Sequence, residues 1–265
     1  MSRLLLGLGL AGAGLLLVLL GLFWLPYEAE ALSGPVLAPP SLAHPFGTDW
    51  FGRDVLSRVM AGGRLSWAVA FLSLAGGGLL GALLGLACGY FPRASPFIRL
   101  ADALLAFPPV LLALLLAVLL GPGVGGVAAA LALFNLPYFA RLSHAGALEL
   151  RVREFVVAAR AVGAGSLRIL ARHILPNLAS SLLVQATFSL STSLLAEASL
   201  SYLGLGVQPP HPTWGRMLWE AQAWLFRSPW PAVFPGLALT GSVLGLNLLG
   251  DFLRDRWDPR LRRLP

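Results

Sequence analysis

The chain has 265 residues, 57% of them apolar and 12% charged, with a mean hydropathy of +0.77, too apolar for an ordinary soluble domain. Its formal charge of +7 comes from arginine alone, since the sequence has no lysine, which excludes a lysine-bearing phosphate loop and Schiff-base chemistry. The single cysteine, Cys88, excludes an intrachain disulfide and a cysteine-based zinc site, and a basic charge dispersed among apolar runs speaks for membrane orientation rather than a nucleic-acid partner.

The first apolar run covers residues 4–25. A signal-peptide core is roughly 7–15 residues and a span about 20, so this is predicted to be an uncleaved transmembrane helix within residues 1–26, although Arg3 and Ala29-Glu30-Ala31 imitate a cleavage site. Residues 27–63 then read as an extracytoplasmic segment. It ends in a short helix lying on the outer surface, with Val55, Leu56, Val59 and Met60 as its apolar face. Asp54 and Arg58 have i,i+4 spacing for an ion pair, and Gly62-Gly63 is expected to end that helix. Trp50 and Phe51 suit a membrane interface. His44 near Asp49 and Asp54 suggests a metal site, but a lone His beside turn residues is expected to be a structural hydrogen-bond donor, and no metal is predicted there.

Five more spans are predicted near residues 65–90, 103–120, 124–140, 179–205 and 232–253, making a core over 64–253 and a tail over 254–265. Gly77, Gly81 and Gly85 have the GxxxG spacing that lets helices approach closely, either within the chain or with a partner. Six spans put both termini on one side. With that side cytoplasmic, only Arg53, Arg58, Arg64, Arg216 and Arg227 of the 19 arginines fall outside, as the positive-inside rule asks. The prediction is an all-α polytopic protein of the inner membrane.

Polar groups within the spans are few, and Asn135, Gln185, Glu197 and Asn247 stand out as candidates for either a solute pathway or a helix interface. Glu197 falls near the outer end of its span, where water is expected to reach it. Between the fourth and fifth spans a basic loop covers residues 141–178. Phe155, Ala158, Ala159 and Val162 fall on one side of a first short helix. Gly163 or Gly165 can end that helix in a left-handed conformation, and Ser166 can cap a second. In the second helix Leu167, Leu170 and Ile174 make one face and Arg168 and Arg172 another. Leu175 is pushed towards an extended conformation by Pro176, which suits the first turn of the next span. Such a loop either lies on the membrane surface or meets a partner.

The residues Val157-Ala158-Ala159, Gly163 and Arg172-His173-Ile174-Leu175-Pro176-Asn177 resemble the EAA loop of ABC-transporter permeases, in the dipeptide, oligopeptide and nickel branch. Val157 stands where that family usually has Glu, and His173 where the wider family has Ile. Three more blocks resemble the same branch in the same order. They are residues 44–66, the run 196–215 with Glu197-Ala198-Ser199-Leu200-Ser201 and Leu203-Gly204-Leu205-Gly206, and the basic end from Arg254, carrying the resemblance to Arg262. The resemblance implies the C-type permease subunit of a type I, binding-protein-dependent importer, without catalysis or cofactor of its own. It implies as partners a homologous permease subunit, two cytoplasmic ATPases, an extracytoplasmic solute-binding protein and the lipid bilayer. It also implies that Val157, Ala158, Ala159, Gly163, Arg172, His173, Leu175 and Pro176 couple to the ATPases. The alternative classes are an ion-coupled secondary transporter, which would lean on Glu197, and a membrane hydrolase, for which no nucleophile elbow or His-Glu-x-x-His motif is present.

Overall fold

The computed structural model describes residues 2–257. The chain is helical, with no strand among the described residues beyond two isolated bridges. Helix α1 (Ser2–Phe23) is followed by an irregular segment, and α2 (Val55–Tyr90) by a short helical turn. Then come α3 (Ile98–Leu105), α4 (Pro109–Leu120), α5 (Val124–Leu150), α6 (Glu154–Ala161), α7 (Ser166–Ile169), α8 (Leu175–Tyr202), α9 (Trp214–Ala221) and α10 (Trp230–Trp257). Helices α1, α2, α5, α8 and α10 are each long and apolar enough to cross a membrane. The third predicted span, near residues 103–120, is instead two pieces. Helix α3 stops at Leu105, Pro108 precedes the next start, and the 12 residues of α4 reach only about 18 Å.

Helix α2 has 36 residues, about 54 Å, longer than the roughly 30 Å hydrocarbon layer. It absorbs the separate interfacial helix predicted before Gly62-Gly63. Those glycines do not end it; they make room. Trp214 lies against Gly63 and is fully buried, with its indole N–H donating to the Val59 carbonyl at 2.9 Å. Val55, Val59 and Met60 are therefore core residues rather than a lipid-facing stripe.

The predicted Asp54–Arg58 pair does not form. Asp54 caps α2, accepting from Ser57 N at 2.8 Å, and its other oxygen lies 2.9 Å from His44 Nδ1. Arg58 pairs instead with Asp49 and Glu220, both at 3.0 Å, and Arg53 bridges Asp49 (2.7 Å), Glu220 (3.1 Å) and Glu30 (3.2 Å). These pairs tie the segment before α2 to α9. Burial raises the Glu220 and Glu30 pKa values above the ordinary 4.5, against the pull of Arg53. No group of three or more His, Cys, Asp or Glu residues among those described could hold a metal ion.

Glycine decides the packing of α2 on α5. A Cβ on Gly77 would run into the Ala132 carbonyl, on Gly81 into Leu136, on Gly85 into Ala140 and on Gly89 into His144. The glycine stripe is thus a seam within this chain. Helix α1 packs on α10 in the same way, with Gly245 against Ala11 and Gly14 against Ser242.

Candidate functional site

The basic loop is shorter than predicted, because α5 continues to Leu150. Helix α6 ends in a Schellman motif. Gly163, at φ +88, donates to the Arg160 carbonyl, and Ala164 N–H reaches back to the Ala159 carbonyl, both at 3.0 Å. Of the two glycines the sequence offered, Gly163 rather than Gly165 is thus the left-handed residue. The cap before α7 is Gly165, with no side-chain hydrogen bond, so Ser166 opens the helix instead of capping it. Leu175 is not extended. Residues Leu170–Ile174 form a π turn that runs into α8 with Leu175 helical (φ -57, ψ -44), and Pro176 sits in the first turn of α8. The wider π turn joins loop to span without a break.

The buried side of the loop also differs from the predicted one. Val156, Ile169 and Ile174 are each at 0% exposure, packed with Leu86 and Tyr90 of α2, Ala147 of α5 and Leu178 of α8. Phe155 and Val162, expected beside Ala158 and Ala159, are exposed, and so is Leu167. Spacing found the helices but not their rotation, which is set by what Leu86 and Tyr90 present. Each fully buried side chain contributes about 1.5–3 kcal/mol, so these anchors outweigh the polar ties. Those ties are Arg151 Nη1 to the Gly89 carbonyl (3.1 Å) and Arg160 over the Tyr90 ring (5.7 Å), and neither was anticipated from the sequence.

What remains outward is the rest of the candidate set. Val157, Ala158, Arg172, Leu175 and Pro176 are exposed, Ala159 is half-buried, and His173 is half-buried with its ring 6.4 Å from Phe155. The site is a rigid knob, apolar where it grips the bundle. Its free surface carries Val157, Val162, Leu167 and arginines.

The four polar candidates within the spans are not brought together. Asn135 is buried and donates to Ser193 Oγ at 2.9 Å, while Ser73 Oγ donates to Ser193 Oγ at 3.1 Å, so this trio pins α2, α5 and α8. Gln185 donates to Ser189 Oγ on its own helix (3.2 Å), and Asn247 is half-buried on α10. Glu197 is closed off from water, contrary to the expectation from its position, at 0% exposure. It accepts from Ser201 Oγ at 2.6 Å, and the Ser66 and Thr213 hydroxyls also face its carboxylate. Its Oε2 is buried with no hydrogen-bond partner, so the carboxylate is closed into the bundle between α8, α2 and the start of α9, away from the water that an ion-coupled pathway would need.

Residues 77–263 match the family described as binding-protein-dependent transport system inner membrane component. The chain belongs to this family. The dipeptide transport system permease protein of Alkalihalophilus pseudofirmus is 42% identical over 236 residues, 88% of this chain and 78% of the relative. The glutathione transport system permease protein of Escherichia coli O1:K1 is 44% identical over 257 residues, 94% and 84% of the two chains. That of Pectobacterium atrosepticum is 42% identical over 260 residues, 95% and 86%. The protein is a multi-pass permease subunit of an ABC importer, with the type I permease fold. The family match takes in α2 from Gly77, the whole of the loop and the later spans.

Proposed function

We propose that this permease carries peptides and that its knob, residues 151–174, is where cytoplasmic ATPases drive it. The observation that carries the reading is the knob's two-sidedness. Val156, Ile169 and Ile174 fix it to α2, α5 and α8, while Val157, Val162 and Leu167 are left outward at 52%, 89% and 81% exposure. An exposed apolar surface on a rigid support is what a docking partner covers. Because the π turn leads straight into α8, a push on the knob moves a membrane span as one body. Peptide as cargo is favoured by the dipeptide and glutathione relatives. The complete importer would add a homologous permease subunit, two ATPases and an extracytoplasmic binding protein, with both termini of this chain cytoplasmic. Purification of the tagged permease in mild detergent tests the reading: a stoichiometric ATPase is expected to come with it, and reconstituted vesicles are expected to take up dipeptides only with ATP inside. Uptake driven by an ion gradient without ATPase would contradict it.

A further inference from the structure

One long face of α8 is left open by this chain, and it is polar along its length. Ser181, Gln185, Thr192, Ser199 and Tyr202 recur along it at helical spacing, with Phe188 and Leu195 between them, and none is buried. The opposite face, with Leu190, Leu194, Glu197 and Ser201, is buried. The open faces of other helices differ. Helix α1 exposes Leu5, Leu8, Leu16 and Leu19, and α4 exposes Leu111, Leu115, Val118 and Leu119. Leucine faces suit lipid, whereas hydroxyl and amide groups along a span face protein or water.

Four of the stripe's polar side chains already donate within the chain. Thr192 Oγ1 donates to the Phe188 carbonyl and Ser199 Oγ to the Leu195 carbonyl, both at 2.8 Å. Gln185 donates to Ser189 Oγ at 3.2 Å, and Tyr202 Oη to Gln222 Oε1 at 2.8 Å. A surface most of whose donors are already engaged can stand wet while a solute slides over it. Against it opens a recess of about 150 Å³ between α4, α5 and α8, walled by Ala113, Leu114, Phe134, Leu195, Ala196 and Leu203. A cavity of about that size takes a benzene-sized group. Thr192 and Ser199 of the stripe line it too, so recess and stripe are continuous.

We propose that the stripe is a wall of the solute path and that the recess receives an apolar side chain, aromatic or branched aliphatic, of the passing peptide. The proposal rests on the peptide reading above. Two measurements on the reconstituted importer test it. In the first, Thr192→Cys and Ser199→Cys are treated with a charged, water-soluble methanethiosulfonate. The unmodified chain, whose one cysteine is buried, sets the background. Both positions are expected to label, and Leu237→Cys, on an exposed leucine of α10, is not. Labelling by a lipid-soluble maleimide alone would make the stripe a lipid face. Failure to label in the assembled importer, with labelling in the isolated chain, would make it a seam for the partner permease. Either result overturns the wall.

In the second, Ala196→Phe fills the recess and Leu203→Ala enlarges it. Uptake of glycyl-phenylalanine relative to glycyl-serine is expected to fall at least fivefold in Ala196→Phe and not to fall in Leu203→Ala. Equal loss of both peptides in Ala196→Phe, with no change of ratio in Leu203→Ala, overturns the recess. If the unmodified importer takes up neither peptide, the peptide reading itself fails, and so does the recess assignment, whereas the labelling still decides the wall.

Discussion

At Glu220 one carboxylate serves three arginines. Its Oε2 accepts from Arg53 and Arg58, and its Oε1 lies 3.3 Å from Arg216 Nε. Arg58 is at 1% exposure, so the clamp exists to satisfy a buried guanidinium as much as to join α9 to α2. Burial raises the Glu220 pKa above 4.5 more than Arg53 and Arg216 lower it. A carboxylate with a raised folded pKa binds its proton more tightly in the folded state. Its stabilising contribution is present below 4.5 and is lost as the pH rises through the raised value. Glu30 adds to the same trend. The thermal midpoint of the detergent-solubilised chain is therefore expected to fall less between pH 7 and pH 5 than that of Glu220→Gln, which lacks the group. A steeper acid loss in the unmodified chain would contradict the sign. None of this was legible from the sequence. His44 was read as a hydrogen-bond donor, but Glu220 is far away in the chain, and the i,i+4 spacing of Asp54 and Arg58 pointed to the wrong pair.

At the scale of elements, hydrophobic run length located the long helices, and the glycine spacing of α2 marked a contact whose partner only the fold identified. The Gly81 position faces the Leu136 carbonyl and lies 3.0 Å from Phe139 Cβ in the extended sense of an added methyl. The backbone carbonyl cannot turn aside, so Gly81→Val must separate α2 from α5. The cost is expected to reach or exceed the ~1–3 kcal/mol typical of overpacking. Gly241→Val, where an added Cβ meets nothing within 4 Å, is the control. Size-exclusion profiles and thermal midpoints in detergent check this, with loss expected only in the first variant. What sequence reading missed among the elements has a common cause. The end of α2's supposed surface helix, the rotation of α6 and the seclusion of Glu197 were all set by Trp214, Leu86 or Ser66, residues remote in the chain. The break before α4 had a local signal in Phe107-Pro108-Pro109, which the apolar composition around it masked. The basic tail beyond Trp257, with Arg260 and Arg262, lies outside the described residues.

For the whole molecule, the proposed mechanism needs the knob and the outer clamp on opposite sides of the membrane. The helices make that possible, since α2 runs from Asp54 beside the clamp to Tyr90 beside the knob. A reporter fused after Gly123 is expected to score as external and one after Gly165 as internal. The reverse would remove the arginine argument and the proposed partners together.

The central claim is that the knob is the docking element for an ATPase, and Gly163 tests it most directly. Its φ of +88 penalises any side chain by roughly 1–2 kcal/mol, yet beyond its chain neighbours nothing lies within 4 Å of an added Cβ. Ala and Leu at this position therefore bear the same backbone strain, and the Cβ of either meets no residue beyond its chain neighbours within 4 Å. Lower ATPase recovery for Leu alone, with the thermal midpoints of the two variants alike, points to a partner surface. The measurement is the ATPase recovered per tagged permease from membranes, for Gly163→Ala and Gly163→Leu beside the unmodified protein. Both variants are expected to insert normally, and Gly163→Leu is expected to recover at least tenfold less ATPase than Gly163→Ala. Equal recovery for the two, at the level of the unmodified protein, would contradict the account.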